Sequence, residues 1–265
     1  RSCRSMTALR PGWERRKEEQ LMLTGMVLLT TPIGEYDKRV VLLTKERGKI
    51  AAFARGARRP NSLLAGATEP FSFGSFSLYE GRTSYTLVSA SISNYFAELR
   101  MDVEGACYGF YFMDIANYYA REANDETQLL KLLYQTLRAL AKKSIPDKLI
   151  RYIYELKSIT INGEGPDVFH CVVCRKNAEG SSFSPLKGGL VCDGCRHLSA
   201  DCLPMDPSTL YTMQYIETSS IEKLYTFAVS EKVLGELGLI MKRYMEIYVD
   251  RHFKSLDILE QMIGA

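Results

Sequence analysis

Histidine is nearly missing from this sequence. Three occur in 265 residues, as His170-Cys-Val, His197-Leu-Ser and His252-Phe-Lys. None sits in a His-Glu-x-x-His protease helix or in the His-x-Glu with Pro-Cys-x-x-Cys of a zinc deaminase. A Walker loop and a nucleophile elbow are missing too. These absences accumulate against an enzyme. No apolar run approaches the roughly 20 residues that span a bilayer. Residues 1–20 hold no apolar core for a signal peptide, and Glu14, Glu18 and Glu19 argue against a transit peptide. With no export signal the chain is expected in the cytoplasm. Seven cysteines there point to metal ligands or buried thiols rather than disulfides.

Excess charge is also lacking. A net +3 implies no nucleic acid by itself, and an apolar share of 46% with 25% charged is that of an ordinary globular protein. The distribution says more than the total. Residues 21–100 carry ten Lys or Arg against six Asp or Glu, while residues 101–265 carry 18 against 22. A basic front half joined to an acidic back half suggests a division of labour.

The patterning changes along the chain in step with the charge. Residues 1–21 read as a disordered or non-native lead-in. Residues 22–91 read as β, with strands expected at 24–30, 38–44, 49–54, 71–79 and 84–90, separated by turn residues such as Arg47-Gly48 and Pro60-Asn61-Ser62. Five short strands in about 70 residues make a small barrel, with an SH3-like barrel as the alternative. Residues 92–265 switch to helical period. Leu129, Leu130, Leu133, Leu137 and Leu140 form one stripe, and Leu149, Ile150, Ile153, Leu156 and Ile159 another. Tyr108, Phe110, Tyr111, Phe112, Tyr118 and Tyr119 read mainly as core. Asp206-Pro207 and Ser230 read as helix starts, the latter opening a helix with Leu234, Leu237, Met241, Tyr244 and Tyr248 on its buried face. The fold class is thus α+β, an all-β barrel followed by an all-α domain with a cysteine-rich insertion at about 167–203.

That insertion carries the sharpest signal. Cys171, Cys174, Cys192 and Cys195 follow the spacing Cys-x2-Cys-x17-Cys-x2-Cys. Two thiolates three residues apart share one tight turn, and two such turns joined by a hairpin close a tetrahedron around one zinc. The hairpin is expected at 183–191, turning at Pro185 and Gly188-Gly189. Four cysteines leave no open position for water, so the zinc is expected to be structural. Cys202 and His170 are the possible substitutes in the set.

The barrel carries the second signal. Lys38, Arg39, Lys45, Arg47, Lys49, Arg55, Arg58 and Arg59 crowd into 22 residues. Arginines in a loop reach backbone phosphates without distorting a strand. Phe53 and Tyr79 are aromatic groups that stack on bases if they face outward and pack in the core if they face inward. Cations and aromatic platforms on a barrel are the usual means of holding a single strand without sequence preference. Lys38, Arg39, Lys49, Phe53, Arg55, Arg58 and Arg59 are the candidate DNA-binding residues.

Four passages carry a family resemblance. They are Thr24-Gly-Met-Val-Leu with Gly34-Glu-Tyr-Asp, the stretch from Lys45 to Ser62 that includes Phe-Ala-Arg-Gly-Ala-Arg-Arg-Pro-Asn-Ser, Cys171-Val-Val-Cys with Cys192-Asp-Gly-Cys, and His252-Phe-Lys-Ser-Leu-Asp-Ile-Leu. In these the sequence resembles the bacterial DNA repair and recombination family RecO, over nearly its whole length. The resemblance implies an N-terminal OB-fold, a helical domain with a zinc finger, and binding and annealing of single-stranded DNA. It further implies help, with RecR, in loading RecA onto DNA coated by single-strand-binding protein, whose acidic tail docks on the helical domain. The rival reading is a zinc-ribbon transcription regulator on duplex DNA. It wants a recognition helix rich in Arg, Asn or Gln, and the long helix after Ser230 carries Met, Tyr and Glu instead.

Overall fold

The five expected strands close into a barrel. A computed structural model describes residues 20–177 and 182–264. The expected lead-in lies outside these residues except at its end, where Gln20 and Leu21 pair with Tyr79 and Leu78 as the first rungs of a strand. Strands β1 (Gln20–Ile33), β2 (Asp37–Thr44), β3 (Gly48–Ala54), β4 (Phe73–Glu80) and β5 (Tyr85–Asn94) form a closed barrel in the order β1-β2-β3-β5-β4. The parallel contact of β3 with β5 closes it, and every other pairing is antiparallel. This is an OB-like barrel. A register shift between Val27 and Leu29 bends β1, so that its first half pairs with β4 and its second half with β2. The fourth strand starts at Phe73 rather than Phe71, because Phe71 adopts φ 72°, off the strand path. Its ring instead packs on Phe110 with centroids 5.0 Å apart.

Two cores result. Leu23, Val27, Val40, Leu42, Ile50, Ala52, Phe76, Leu78 and Leu87 fill the barrel. Met26, Leu28, Leu43 and Phe71 belong instead to the core of the helical region, so part of the barrel wall is packed against helices. The backbone joins the two parts as well. The Lys49 amide donates to Arg121 O at 2.9 Å and the Ala123 amide to Arg47 O at 3.1 Å.

The helices are α1 (Ala97–Met101), α2 (Val103–Tyr119), α3 (Thr127–Lys142), α4 (Asp147–Ile161), α5 (Pro207–Thr218), α6 (Glu231–Tyr248) and α7 (Lys254–Ile263). The aromatic run of α2 is core at Tyr108, Tyr111, Phe112 and Tyr119, whereas Phe110 is 45% exposed. Helix α4 packs against α2, α3, α5 and α6. It is therefore buried beyond the expected stripe, with Arg151, Tyr154, Glu155, Lys157 and Ser158 enclosed alongside the apolar positions. Asp206 and Ser230 cap α5 and α6 by accepting from the Ser208 and Val233 amides. The buried face of α6 runs through Val233, Leu237, Ile240, Met241, Tyr244 and Met245. The expected Leu234 and Tyr248 are only partly covered, since the stripe rotates with the true 3.6-residue period.

Between α4 and α5 lies the cysteine segment. Its strands β6 (Ser182–Ser184), β7 (Gly189–Val191) and β8 (Leu203–Pro204) form a small antiparallel sheet in the order β7-β6-β8. Gly188 turns the β6–β7 hairpin at φ 73°. Val168, Cys171, Phe183 and Leu190 are fully buried and belong to the helical core.

Candidate metal centre and nucleic-acid interface

The four cysteines meet. The Sγ atoms of Cys171, Cys174, Cys192 and Cys195 all lie within 4.8 Å of one another. Cys174 Sγ and Cys192 Sγ are 3.7 Å apart, and a tetrahedron with Zn–S bonds of about 2.3 Å has edges of roughly 3.8 Å. Each Cys-x-x-Cys turn places its second thiol by local backbone alone. The hairpin then carries the second pair over the first, and the Cys192 amide donates to Cys171 Sγ at 3.4 Å. Burial raises the Cys171 thiol, but the amides of Cys174, Cys192 and Val173 outweigh it and bring it down to about 6. Amides trained on sulfur favour the thiolate, the form that binds metal. Cys195, crowded by the sulfurs of Cys192, Cys174 and Cys171, is pushed up to about 12. A cation among the four removes that crowding. His170 and Cys202 stand outside the set, and the four sulfurs fit one metal ion.

The barrel presents a polar face built by strict alternation. Along β3, Gly48, Ile50, Ala52 and Ala54 are buried while Lys49, Ala51 and Phe53 face outward, and exposed Arg55 follows the strand. Arg39 of β2 is paired across the ladder with Phe53. Phe53 pairs with Thr86 of β5, and Thr86 with Tyr79 of β4. Arg39, Phe53, Thr86 and Tyr79 thus form a row across the barrel, with the two aromatics about 10 Å apart at two strand spacings. Phe53 is 36% exposed. Both aromatics therefore face outward.

One candidate leaves this face. Lys38 precedes Arg39, so it points to the other side of the strand. Its Nζ is 2.6 Å from Glu69 Oε1 and donates to Thr68 Oγ1, with the side chain only 12% exposed. The arginine loop folds back on the β1–β2 turn instead of standing free. Arg58 Nη1 donates to Gly34 O at 3.1 Å, and the Arg59 guanidinium lies 5.3 Å from the Tyr36 ring centre. Both remain exposed, beside the turn that flanks the β2–β3 face.

Beyond Arg39, a groove of about 570 Å³ runs along β2, β3 and the β4–β5 turn to α2. Arg39, Lys49, Arg82, Ser84 and Tyr85 line it, together with Asn117, Glu80 and Glu122. Arg82 is absent from the sequence-based set. The signal available was position, since a cation in the β4–β5 turn of such a barrel borders the face that binds oligonucleotides. Glu80 is neutralised by Arg47 at 3.6 Å. Burial lowers the Lys49 ammonium, and repulsion from Arg121 and Arg251 lowers it further.

Comparison with known proteins decides the family. The family described as Recombination protein O N terminal matches residues 20–96, and that described as Recombination protein O C terminal matches residues 100–257. The chain belongs to the RecO family. Among curated RecO relatives, the DNA repair protein RecO of Acetivibrio thermocellus is 31% identical over 243 residues, covering 91% of this chain and 97% of the relative. That of Alkaliphilus metalliredigens is 31% identical over 240 residues, covering 90% and 98%. That of Bacillus subtilis is 29% identical over 238 residues, covering 90% and 93%. A role in DNA repair follows from membership of the RecO family. Among the described residues no helix is long and apolar enough to cross a membrane.

Proposed function

We propose that this RecO-family chain is a non-catalytic mediator of recombination and repair that holds single-stranded DNA on the outer face of its barrel. The observation that carries the reading is the row of Lys49, Phe53 and Arg55 along β3 with Arg39 beside it, all facing outward and none in an ion pair among the described residues. Arg58 and Arg59 extend it on one side and Arg82 on the other. Guanidiniums and the ammonium neutralise phosphates, and Phe53 and Tyr79 supply platforms for bases. Phosphate contacts carry no sequence information, which suits a protein that anneals strands of any sequence. Lys38 contributes to folding rather than to DNA.

Zinc is the metal we assign to the four cysteines. Its role is to pin a sheet of two- and three-residue strands that is too small to hold itself. The mediator reading places the protein in the bacterial cytoplasm at the nucleoid. There it works with RecR to load RecA onto DNA coated by single-strand-binding protein. A cleft of about 440 Å³ has Arg138 and Lys142 beside the apolar Ala139, Ile221 and Tyr225, with Glu98 and Glu222 also in its lining.

The test is a salt titration on mixed-sequence single strands and on duplex of equal length. Single-strand affinity falls with a log–log slope of roughly −0.7 per neutralised phosphate. The double variant Arg39→Ala/Arg55→Ala is expected to flatten the slope by about 1.4, from two lost contacts. Phe53→Ala is expected to cost about 1–3 kcal/mol of binding at every salt concentration, because stacking releases no counterions. Parent and variants with parallel slopes and equal affinities would place the strand elsewhere.

A further inference from the structure

The groove on the barrel does not stop at the barrel. Its lining includes Asn117 of α2, whose carbonyl accepts from Lys49 Nζ at 2.7 Å. Just beyond, Arg121 is exposed and turns its guanidinium back, with Nη1 donating to Tyr118 O at 2.9 Å. The Tyr118 ring stands edge-on to Phe253, centroids 5.9 Å apart. The exposed Arg251 guanidinium lies 5.7 Å from the centre of that same Phe253 ring. Three cations from three distant parts of the chain, Lys49, Arg121 and Arg251, are thereby gathered where the barrel meets the helices.

Among the described residues their charge is only partly offset. Among the described residues none of the three takes part in an ion pair. The buried Glu126 beside them accepts from the Arg121 amide and from Asn124 Nδ2, and its charge offsets part of theirs without an ion pair to any of the three. Glu122 is the one groove-lining carboxylate without an ion-pair partner among the described residues. Adding Arg39, Arg82 and Arg47, six cations stand against Glu80, Glu122 and the buried Glu126 along this track. At Lys49 burial loosens the proton most, repulsion from Arg121 and Arg251 loosens it further, and Glu126 opposes them. Uncompensated like charges cost stability in the free protein, and an anion laid between them recovers it.

We propose that Arg121 and Arg251 form a second phosphate-binding segment, so that a single strand leaves the barrel groove past Lys49 and continues onto the helical domain. The ligand is the phosphate backbone of the same strand. The inference rests on the barrel-face reading above and extends it to residues on α2's exit and on the segment before α7.

The experiment is equilibrium binding of a fluorescein-labelled mixed-sequence single strand of about 30 nucleotides, longer than the roughly 4–16 that one barrel of this kind covers. Full-length parent, Arg121→Ala/Arg251→Ala, Arg121→Lys/Arg251→Lys and Arg39→Ala/Arg55→Ala are compared from about 50 to 200 mM salt. Losing two phosphate contacts flattens the slope by about 1.4, so the junction alanine variant loses about sevenfold less affinity over that range than the parent does. The lysine variant is expected to keep the parent slope, because charge alone is read. Should the double alanine variant fail a folding check by circular dichroism, the single variants Arg121→Gln and Arg251→Gln are each expected to flatten the slope by about 0.7. A junction variant parallel to the parent while the groove variant is flattened overturns the proposal and leaves the barrel reading standing. Equal flattening by the lysine variant also overturns it, since the arginines would then act on structure. Parallel slopes for the groove and junction variants together sink both readings.

Discussion

Replacing Cys174 by alanine separates metal from packing. Of the four ligands it is the exposed one, so its removal opens no cavity and loses almost no buried apolar area. Any large effect must then pass through the ion. Structural zinc sites in isolated peptides are worth about 10–16 kcal/mol. Loss of even a third of that is about 3–5 kcal/mol, which is comparable with the whole stability of a typical domain, about 5–15 kcal/mol. The loss does not stay in the ribbon, because Val168, Phe183 and Leu190 belong to the helical core and Phe183 lies 6.1 Å from Tyr244 of α6. At about 2–4 °C per kcal/mol for a chain of this size class, Cys174→Ala is expected to lower Tm by about 6–20 °C. The assay is a thermal melt in reducing buffer alongside elemental analysis, with one zinc per parent chain expected. Cys202→Ala is the control, half-buried and outside the ligand set, and is expected to cost about 1 kcal/mol or less. If purified parent holds no metal and Cys174→Ala melts with it, the reasoning fails.

Three further outcomes follow from the helical core and the junction. Arg151→Ala strands the buried Glu155, whose Oε1 lies 2.8 Å from Arg151 Nε, and is expected to cost about 3–5 kcal/mol in urea denaturation. An apolar replacement of the whole cluster, Arg151→Met/Glu155→Leu/Tyr111→Phe, which also removes the buried Tyr111 hydroxyl that donates to Glu155 Oε1 at 2.7 Å, should come out much closer to the parent. Glu217 is raised to about 7, chiefly by burial, with Lys157 opposing and Asp167 adding to the rise. The folded state therefore holds a proton that the unfolded state has released, and Tm is expected to fall as pH rises from about 4.5 to 7, a slope that Glu217→Gln should diminish. Gly48 sits at φ 64°, and a Cβ there would come within 2.7 Å of Asn124 O and closer still to Arg121 O. Gly48→Ala is expected to cost at least about 1–3 kcal/mol and to loosen the barrel from the helices, read as faster hydrogen exchange at the Lys49 and Ala123 amides.

What could be read from the chain was whatever depends on short separations. Short apolar runs bounded by turn residues located all five barrel strands, because a tight turn is settled within a few residues. Ends were harder. The ladder reaches Gln20 and Asn94, and those extra rungs exist only because a partner strand lies alongside. Helix starts at Asp206 and Ser230 were legible, since capping is settled within four residues. Helix α4 was legible by its stripe, but its burial on the other sides was not, because a stripe reports one buried side and α4 has neighbours all around it.

The same division runs through the candidate sites. Cys-x-x-Cys spacing by itself determined which four sulfurs meet, since each pair is local and one hairpin joins them. Charge density likewise marked the barrel as the cationic end of the chain. Which of those cations share a face was a matter of strand register. Adjacent Lys38 and Arg39 look alike in sequence, yet one is locked to Glu69 and the other stands beside Phe53. Arg82 joins the groove only because the β4–β5 turn lies next to β3 in the closed barrel. The gathering of Lys49, Arg121 and Arg251 spans some two hundred residues of chain. No local rule connects such positions, and only the packing of barrel against helices decided that they meet.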